Sequence, residues 1–136
     1  MMAGRVPWIP GVLVVVAVAS GVVGAQSGGA VLDGVFLSAQ ADRGERTFDR
    51  SCLSCHDTTE FAGGRFRLSW VGRTVGDLFD TISTLMPEED PGSLSPAEYA
   101  SLVAFLLRLN GYPSGETALQ TDLRSLQQLP IVEAPR

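Results

Sequence analysis

The feature that most constrains this chain is the run Cys52-Leu53-Ser54-Cys55-His56. On one helical turn, cysteines three positions apart point to the same side, and the histidine that follows projects next to them. Two such thiols can add to neighbouring vinyl groups along one edge of a flat ring while the imidazole reaches its centre. This spacing is the attachment signature of a c-type haem. We therefore predict one haem c, bound covalently through Cys52 and Cys55, with His56 on its iron.

Other uses of two cysteines are less favoured by the same residues. A zinc site needs about four ligands, and the chain has 2 Cys and 1 His. A thioredoxin-like redox pair needs a βαβ context, and the sequence shows no convincing strand alternation. A disulfide, the usual role of two cysteines in an exported chain, and a chance motif in a structural helix are the remaining alternatives.

A second axial ligand can be assigned by elimination. His56 is the only histidine, both cysteines are used by the haem, and the chain has no lysine. Two of the three methionines stand at the extreme N-terminus, so Met86 is the predicted sixth ligand, and the metal-binding residues are His56 and Met86. The alternatives are Met86 as a filler of the core and Tyr99 or Tyr112 as weaker ligands. With both axial positions filled, the iron would exchange electrons without binding a substrate.

The N-terminal segment has the pattern of an export signal. Arg5 is followed by a nearly continuous apolar run, and Val23-Gly24-Ala25 offers suitable residues before a cleavage site. We predict a signal peptide over residues 1–25, a linker over residues 26–37 and a periplasmic location. An uncleaved anchor is the alternative, because residues 6–25 carry no charge; only in that case would the protein contact a membrane.

The overall charge excludes one large class of partners. The formal net charge is −5 at pH 7, whereas nucleic-acid binding needs a clustered basic surface. We therefore expect no nucleic-acid partner.

Three segments have the periodicity and end signals of helices. The first covers residues 38–53, with Ser38 as its cap, and the second covers residues 74–85, with Thr74 and Asp77 at its start. The third is capped by Ser95, has Pro96 at its first position and stops at Asn110-Gly111. Leucines at positions 119–129 indicate either a short helix or a segment wrapped on the domain. The predicted fold class is all-α.

The predicted domain covers residues 38–113, with residues 114–136 as a C-terminal extension packed on it. Helices this short bury little apolar surface, and small domains usually need a further stabilising group. A haem would supply that apolar core.

At these residues the sequence resembles the class I c-type cytochromes. It is most similar to the single-haem cytochromes and cytochrome domains associated with periplasmic quinoprotein dehydrogenases. The resemblance runs from about Asp33 to Leu129 and rests on Asp33-Gly34-Val35-Phe36, Gln40-Ala41-x-Arg43-Gly44, Phe48, the haem motif, Trp70, Asp77-Leu78-Phe79, Met86-Pro87 and Leu107-x-x-Asn110-Gly111-Tyr112-Pro113.

The resemblance implies a cytochrome c fold of three to five short helices around one covalently bound haem. Its first and last helices would cross where Gly44 and Phe48 meet the region of Tyr99 and Val103. The residues expected to line or flank the haem are Phe61, Leu68, Trp70, Leu78, Ile82 and Phe105. Trp70 could hydrogen-bond a haem propionate through its indole N–H, and Arg65, Arg67 or Arg73 could neutralise that group.

The sequence departs from the family pattern after the haem motif. Asp57 replaces the common glycine, and no proline lies between His56 and Met86. The hydrogen bond that orients His56 is therefore expected from another backbone carbonyl, around residues 63–66.

These observations predict an electron carrier and not an enzyme. It would take electrons from a redox protein, such as a quinoprotein dehydrogenase or a quinol-oxidising complex, and pass them to an acceptor. The acidic residues at positions 88–90, beside Met86, would favour partners with basic patches. One alternative is a permanently bound dehydrogenase subunit that uses residues 119–129 as its contact strip. A haem peroxidase or sensor is the other, and it would need an open sixth site.

Overall fold

The computed structural model describes Met1, Gly4 and residues 30–134. The predicted signal peptide, apart from Met1 and Gly4, and the predicted linker up to residue 29 lie outside the described residues. Within the described residues, no helix is long and apolar enough to cross a membrane.

The described residues form a helical domain. Its α-helices are α1 Ser38–Ser51, α2 Gly63–Trp70, α3 Val75–Leu85, α4 Pro96–Leu109 and α5 Leu123–Leu126, with 3₁₀ turns at Val31–Asp33 and Thr58–Phe61. Over residues 30–134 the only strand-like pairing is an isolated bridge between Thr74 and Pro130. The all-α prediction is confirmed.

Two of the helices start at the capping signals read from the sequence. The Thr74 hydroxyl accepts the Asp77 N–H at 3.1 Å, and Asp77 in return accepts the Thr74 N–H at 2.9 Å. Ser95 and Glu98 form the same reciprocal pair at the start of α4. Helix α1 begins at Ser38 as predicted and ends at Ser51, two residues before the predicted end. The predicted cap was wrong, because Leu37 takes the cap position and no side chain caps the helix there.

Helices α1 and α4 cross at very close range at Gly44. A Cβ atom built on Gly44 would lie 1.8 Å from the backbone oxygen of Ser101 and 2.9 Å from Cβ of Phe105. One turn on, the rings of Phe48 and Phe105 pack with centroids 5.6 Å apart. The crossing of first and last helices is as expected. The closest atoms of α4 at Gly44 belong to Ser101 and Phe105, each two residues beyond the expected Tyr99 and Val103.

The Tyr99 side chain lies elsewhere. Its ring packs edge to face on Phe79 with centroids 6.4 Å apart. Val103 is fully buried within the core. Both residues therefore belong to the buried interior of the domain.

The C-terminal segment closes the domain through backbone hydrogen bonds. Val75 donates to the oxygen of Leu129 at 2.9 Å, and Ile131 donates to the oxygen of Arg73 at 2.8 Å. In the first 3₁₀ turn, the N–H of Val31 donates to the oxygen of Pro130 at 3.4 Å. These bonds join the tail to the α2–α3 junction and to the first 3₁₀ turn.

The leucines of that segment face inward. Leu119 is 4% exposed and Leu126 is fully buried, and the backbone of Leu119 is held by both ends of the Gln40 amide, at 3.0 and 2.8 Å. Leu119 and Leu126 are therefore not available for the predicted contact strip with a dehydrogenase, because the core already uses them, whereas Leu123 and Leu129 are half-buried.

Candidate haem site

A cleft opens between the turn after α1, helix α3 and the inner face of α4. Seven of the residues predicted from the sequence to hold or surround the haem line it: Cys52, Cys55, His56, Trp70, Leu78, Ile82 and Met86. Phe61, Leu85, Leu102 and Leu106 add apolar walls, and Phe48 lies at its base. The chain thus brings two thiols, one imidazole and one thioether to a single apolar cavity.

The cysteine motif forms a tight turn at the end of α1. Helix α1 ends at Ser51, and Cys52 still donates to the Phe48 oxygen at 2.8 Å. The N–H groups of Cys55 and His56 both bond to the Cys52 oxygen, at 3.1 and 2.9 Å. This turn presents both cysteines and His56 to the same cleft.

The two thiols differ in their surroundings. Both cysteines are free, Cys52 half-buried and Cys55 exposed. Burial raises the pKa of the Cys52 thiol, and the nearby Arg50 charge partly opposes that rise. Cys52 is therefore held as a neutral thiol at pH 7, with no disulfide competing for it.

The partner of His56 is a carboxylate. Nδ1 of His56 lies 3.3 Å from Oε2 of Glu60, four residues later, and the His56 and Phe61 rings pack edge to face with centroids 5.2 Å apart. The expectation of a backbone carbonyl around residues 63–66 was wrong. Those residues open helix α2, which directs their carbonyls along the helix.

Glu60 itself is fixed by the loop. Its Oε1 accepts the Asp57 N–H at 2.8 Å. That bond, followed by the His56 contact, lowers the pKa of the Glu60 carboxyl, so the group is ionised at neutral pH. The Asp57 that stands in place of the usual glycine is thus part of the arrangement that holds Glu60 beside the imidazole.

Met86 is anchored through its backbone at the end of α3. Its N–H donates to the Ile82 oxygen at 2.9 Å, and its oxygen accepts the Tyr99 hydroxyl at 2.7 Å. The Tyr112 hydroxyl donates to the Val132 oxygen at 2.7 Å. Both tyrosine hydroxyls are therefore occupied by backbone carbonyls, which disfavours either as an iron ligand.

The arginines near the cleft have other partners. The Arg73 guanidinium lies 4.7 Å from the centre of the Trp70 ring and 3.9 Å from Asp77. Arg67 pairs with Glu133 at 3.4 Å. Arg73 is thus the arginine that stacks on a cleft-lining residue, and Arg67 is drawn to the C-terminal segment.

Two of the residues expected around the haem are placed differently. Leu68 is 90% exposed, on the outer side of α2, so its assignment to the haem surroundings was wrong. Phe105 is buried behind Phe48, against which it packs, and is not among the residues that line the cleft. Sequence reasoning did not assign Leu102 and Leu106 to the site, although both stand on the apolar stripe of α4.

The donor set of the cleft fits a haem and not a bare metal ion. Thiols, imidazole and thioether are the groups through which proteins attach and ligate haem. Over the described part of the chain, no group of three or more His, Cys, Asp or Glu residues could hold a metal ion. The zinc alternative is therefore disfavoured.

The chain was compared with models of known protein families, and one of them matches the region that forms the cleft. A family model described as "Cytochrome C oxidase, cbb3-type, subunit III", a c-type cytochrome domain, matches residues 39–106. The chain belongs to this family. The match begins in α1, includes the whole cysteine motif and Met86, and ends within α4. No curated protein and no solved structure matched the chain.

Membership of this family confirms the coarse predictions. The protein is a cytochrome c domain, its cofactor is a haem c, and it transfers electrons with redox partners. Proteins of this family are typically exported. The C-terminal segment beyond residue 106, including α5, lies outside the matched region of the cytochrome domain.

Proposed function

We propose that this cytochrome domain carries single electrons through one covalently bound haem c with His56 and Met86 as axial ligands. The observation that supports it is the single apolar cleft into which Cys52, Cys55, His56 and Met86 all project. When bound there, haem supplies an iron that takes up and gives back one electron.

The residues of the cleft have separate tasks in this proposal. Cys52 and Cys55 hold the ring by thioether bonds, so it stays in place even if an axial bond breaks. His56 and Met86 occupy both axial positions, which leaves no site for a substrate and favours a carrier over an enzyme. Trp70 and the aliphatic side chains give the cleft apolar walls, and apolar surroundings disfavour the more highly charged oxidised iron.

An absorption spectrum tests this proposal. The protein, produced with a haem-maturation system, should show a low-spin spectrum and, when oxidised, a weak far-red band from iron bound to a methionine sulfur. Met86→Ala should abolish that band completely, because Met86 is the only methionine of residues 30–134.

Leu85→Ala is the matched control for that substitution. Leu85 is the neighbouring residue and also lines the cleft, yet it has no group to offer iron, so its variant should keep the band. A far-red band that survives in Met86→Ala would exclude Met86 as ligand. Ready carbon monoxide binding by the reduced wild-type protein would contradict the filled sixth site.

We further propose that the protein works in the periplasm, with a dehydrogenase or quinol-oxidising complex as donor. The apolar N-terminal run before residue 26 supports export, and covalent haem attachment suits a protein outside the reducing cytosol. The acidic surface near the cleft supports a donor or acceptor with basic docking residues.

The acidic surface consists of Glu88, Glu89 and Asp90, which are exposed and are separated from Met86 only by Pro87. Glu88 and Glu89 also line the mouth of the cleft. Replacing all three by lysine should slow electron transfer to the cation tris(phenanthroline)cobalt(III) by about tenfold at low salt and speed transfer to the anion hexacyanoferrate(III). Both changes should shrink as salt screens the charges.

The control for this experiment reverses three exposed acids that do not line the cleft: Asp33, Asp80 and Glu116. This variant changes the net charge by the same amount. Comparing the electron-transfer rates of the two variants by stopped flow therefore separates the effect of charges beside the cleft from the effect of the overall charge. Equal rates in both would remove residues 88–90 from the docking face.

A further inference from the structure

The loop after the haem motif holds a carboxylate against His56 in a defined geometry. Oε2 of Glu60 lies 3.3 Å from Nδ1 of His56, while Oε1 accepts the Asp57 N–H at 2.8 Å. Asp57 is in turn fixed by the Thr59 N–H at 2.8 Å and the Thr59 hydroxyl at 2.6 Å. Both oxygens of Glu60 are therefore directed by the loop, and one of them points at the imidazole.

The position of this contact on the ring determines its effect. Glu60 lies in the 3₁₀ turn Thr58–Phe61, which begins two residues after His56. Its carboxylate meets Nδ1 of the imidazole, so Nε2 is left to bind iron. A carboxylate on Nδ1 accepts the proton there, selects the tautomer with a free Nε2 lone pair and makes that nitrogen a stronger donor. A neutral carbonyl in the same place orients the ring but adds no charge.

From this geometry we infer that Glu60 is the positioning residue of His56 and lowers the reduction potential of the haem. The inference rests on the proposed function, since it requires His56 on the iron. A stronger imidazole donor and a nearby negative charge both stabilise the oxidised, more positive iron relative to the reduced one. The side chains of His56 and Glu60 are 30% and 41% exposed, so solvent weakens but does not remove this effect.

Glu60→Gln tests the inference with little change of shape. Glutamine can still accept the Asp57 N–H, but it carries no charge. In this variant the equilibrium constant that favours oxidised over reduced haem should fall at least about tenfold. For a one-electron couple, a tenfold fall raises the midpoint potential by about 59 mV. Redox titration followed by absorbance measures the shift.

Glu89→Gln is the matched control. It removes one negative charge from the same cleft without touching His56, so its potential should rise clearly less than that of Glu60→Gln. The paramagnetically shifted NMR resonances of the His56 ring protons should move in Glu60→Gln and stay unchanged in Glu89→Gln. Melting curves followed by circular dichroism show whether either variant disturbs the fold.

The outcomes separate this inference from the proposed function. Equal shifts of potential in the two variants, or unchanged His56 resonances in Glu60→Gln, would overturn the role of Glu60 and leave the haem assignment standing. A wild-type protein without low-spin haem would overturn the proposed function before Glu60 is tested.

Discussion

Replacing Cys52 and Cys55 together by serine is expected to leave the protein without covalently bound haem. Both thiols lie in the cleft, in the turn closed on the Cys52 oxygen, and serine cannot form the thioether bonds. In a denaturing gel stained for haem peroxidase activity, the wild-type band should stain and the double variant should not. This is a complete loss, because the chain has 2 Cys.

Ser54→Ala is the control within the same motif. Ser54 lines the cleft and its hydroxyl lies 3.7 Å from the Cys55 sulfur, but it makes no bond to haem in the proposed arrangement. This variant should stain like the wild type. A stained band in the double variant would rule out covalent attachment through these residues.

Gly44→Ala is expected to lower the free energy of unfolding by about 3 kcal/mol, the upper part of the range for overpacked cores. The added methyl group would stand 1.8 Å from a backbone oxygen of α4, so the two helices must separate. Alanine gains about 1 kcal/mol over glycine within a helix, which offsets only part of this cost. A melting temperature about 15 °C lower is the corresponding change for a domain of this size.

Gly64→Ala separates the steric cost from the general effect of losing a glycine. Gly64 lies in α2, and its nearest neighbour would be the flexible tip of Arg67 at 3.9 Å. This variant should therefore be as stable as the wild type or more stable by up to about 1 kcal/mol. Denaturation curves of the two variants that coincide would contradict the close crossing at Gly44.

The starts of helices α3 and α4 could be predicted because their signals are local. The pairs Thr74 with Asp77 and Ser95 with Glu98 are three residues apart, and each pair marks a helix start without help from the rest of the chain. The cysteine motif is equally local. Its five residues determine the chemistry of the cleft, and the elimination that selected Met86 needed only the residue types present.

Helix α2 was missed because its stability comes from residues far along the chain. It opens with Gly63 and Gly64, which disfavour a helix. In the fold, the Asn110 side chain accepts the Gly63 N–H at 2.9 Å and donates to the Phe61 oxygen at 2.8 Å. Asn110 was read only as the stop of α4, since sequence shows no sign of a contact 47 residues away.

The partners of Gly44 and His56 were mispredicted for a related reason. Which residue of α4 meets Gly44 depends on the angle and rotation of two packed helices, which the apolar stripe of α4 constrains only to a broad face. Glu60 meets His56 because residues 58–61 form a tight 3₁₀ turn. A turn of four residues is too short to show a hydrophobic periodicity, so the sequence pattern could not predict this turn.

The hydrogen bond from Val31 to Pro130 brings the start of the domain and its C-terminal segment side by side. A polypeptide that enters and leaves at one point can be inserted into a loop of a larger protein without stretching its host. For the same reason, tethers attached at either end would leave from one side. Any such tether would restrict how the cleft can be presented to a partner, whichever terminus carried it.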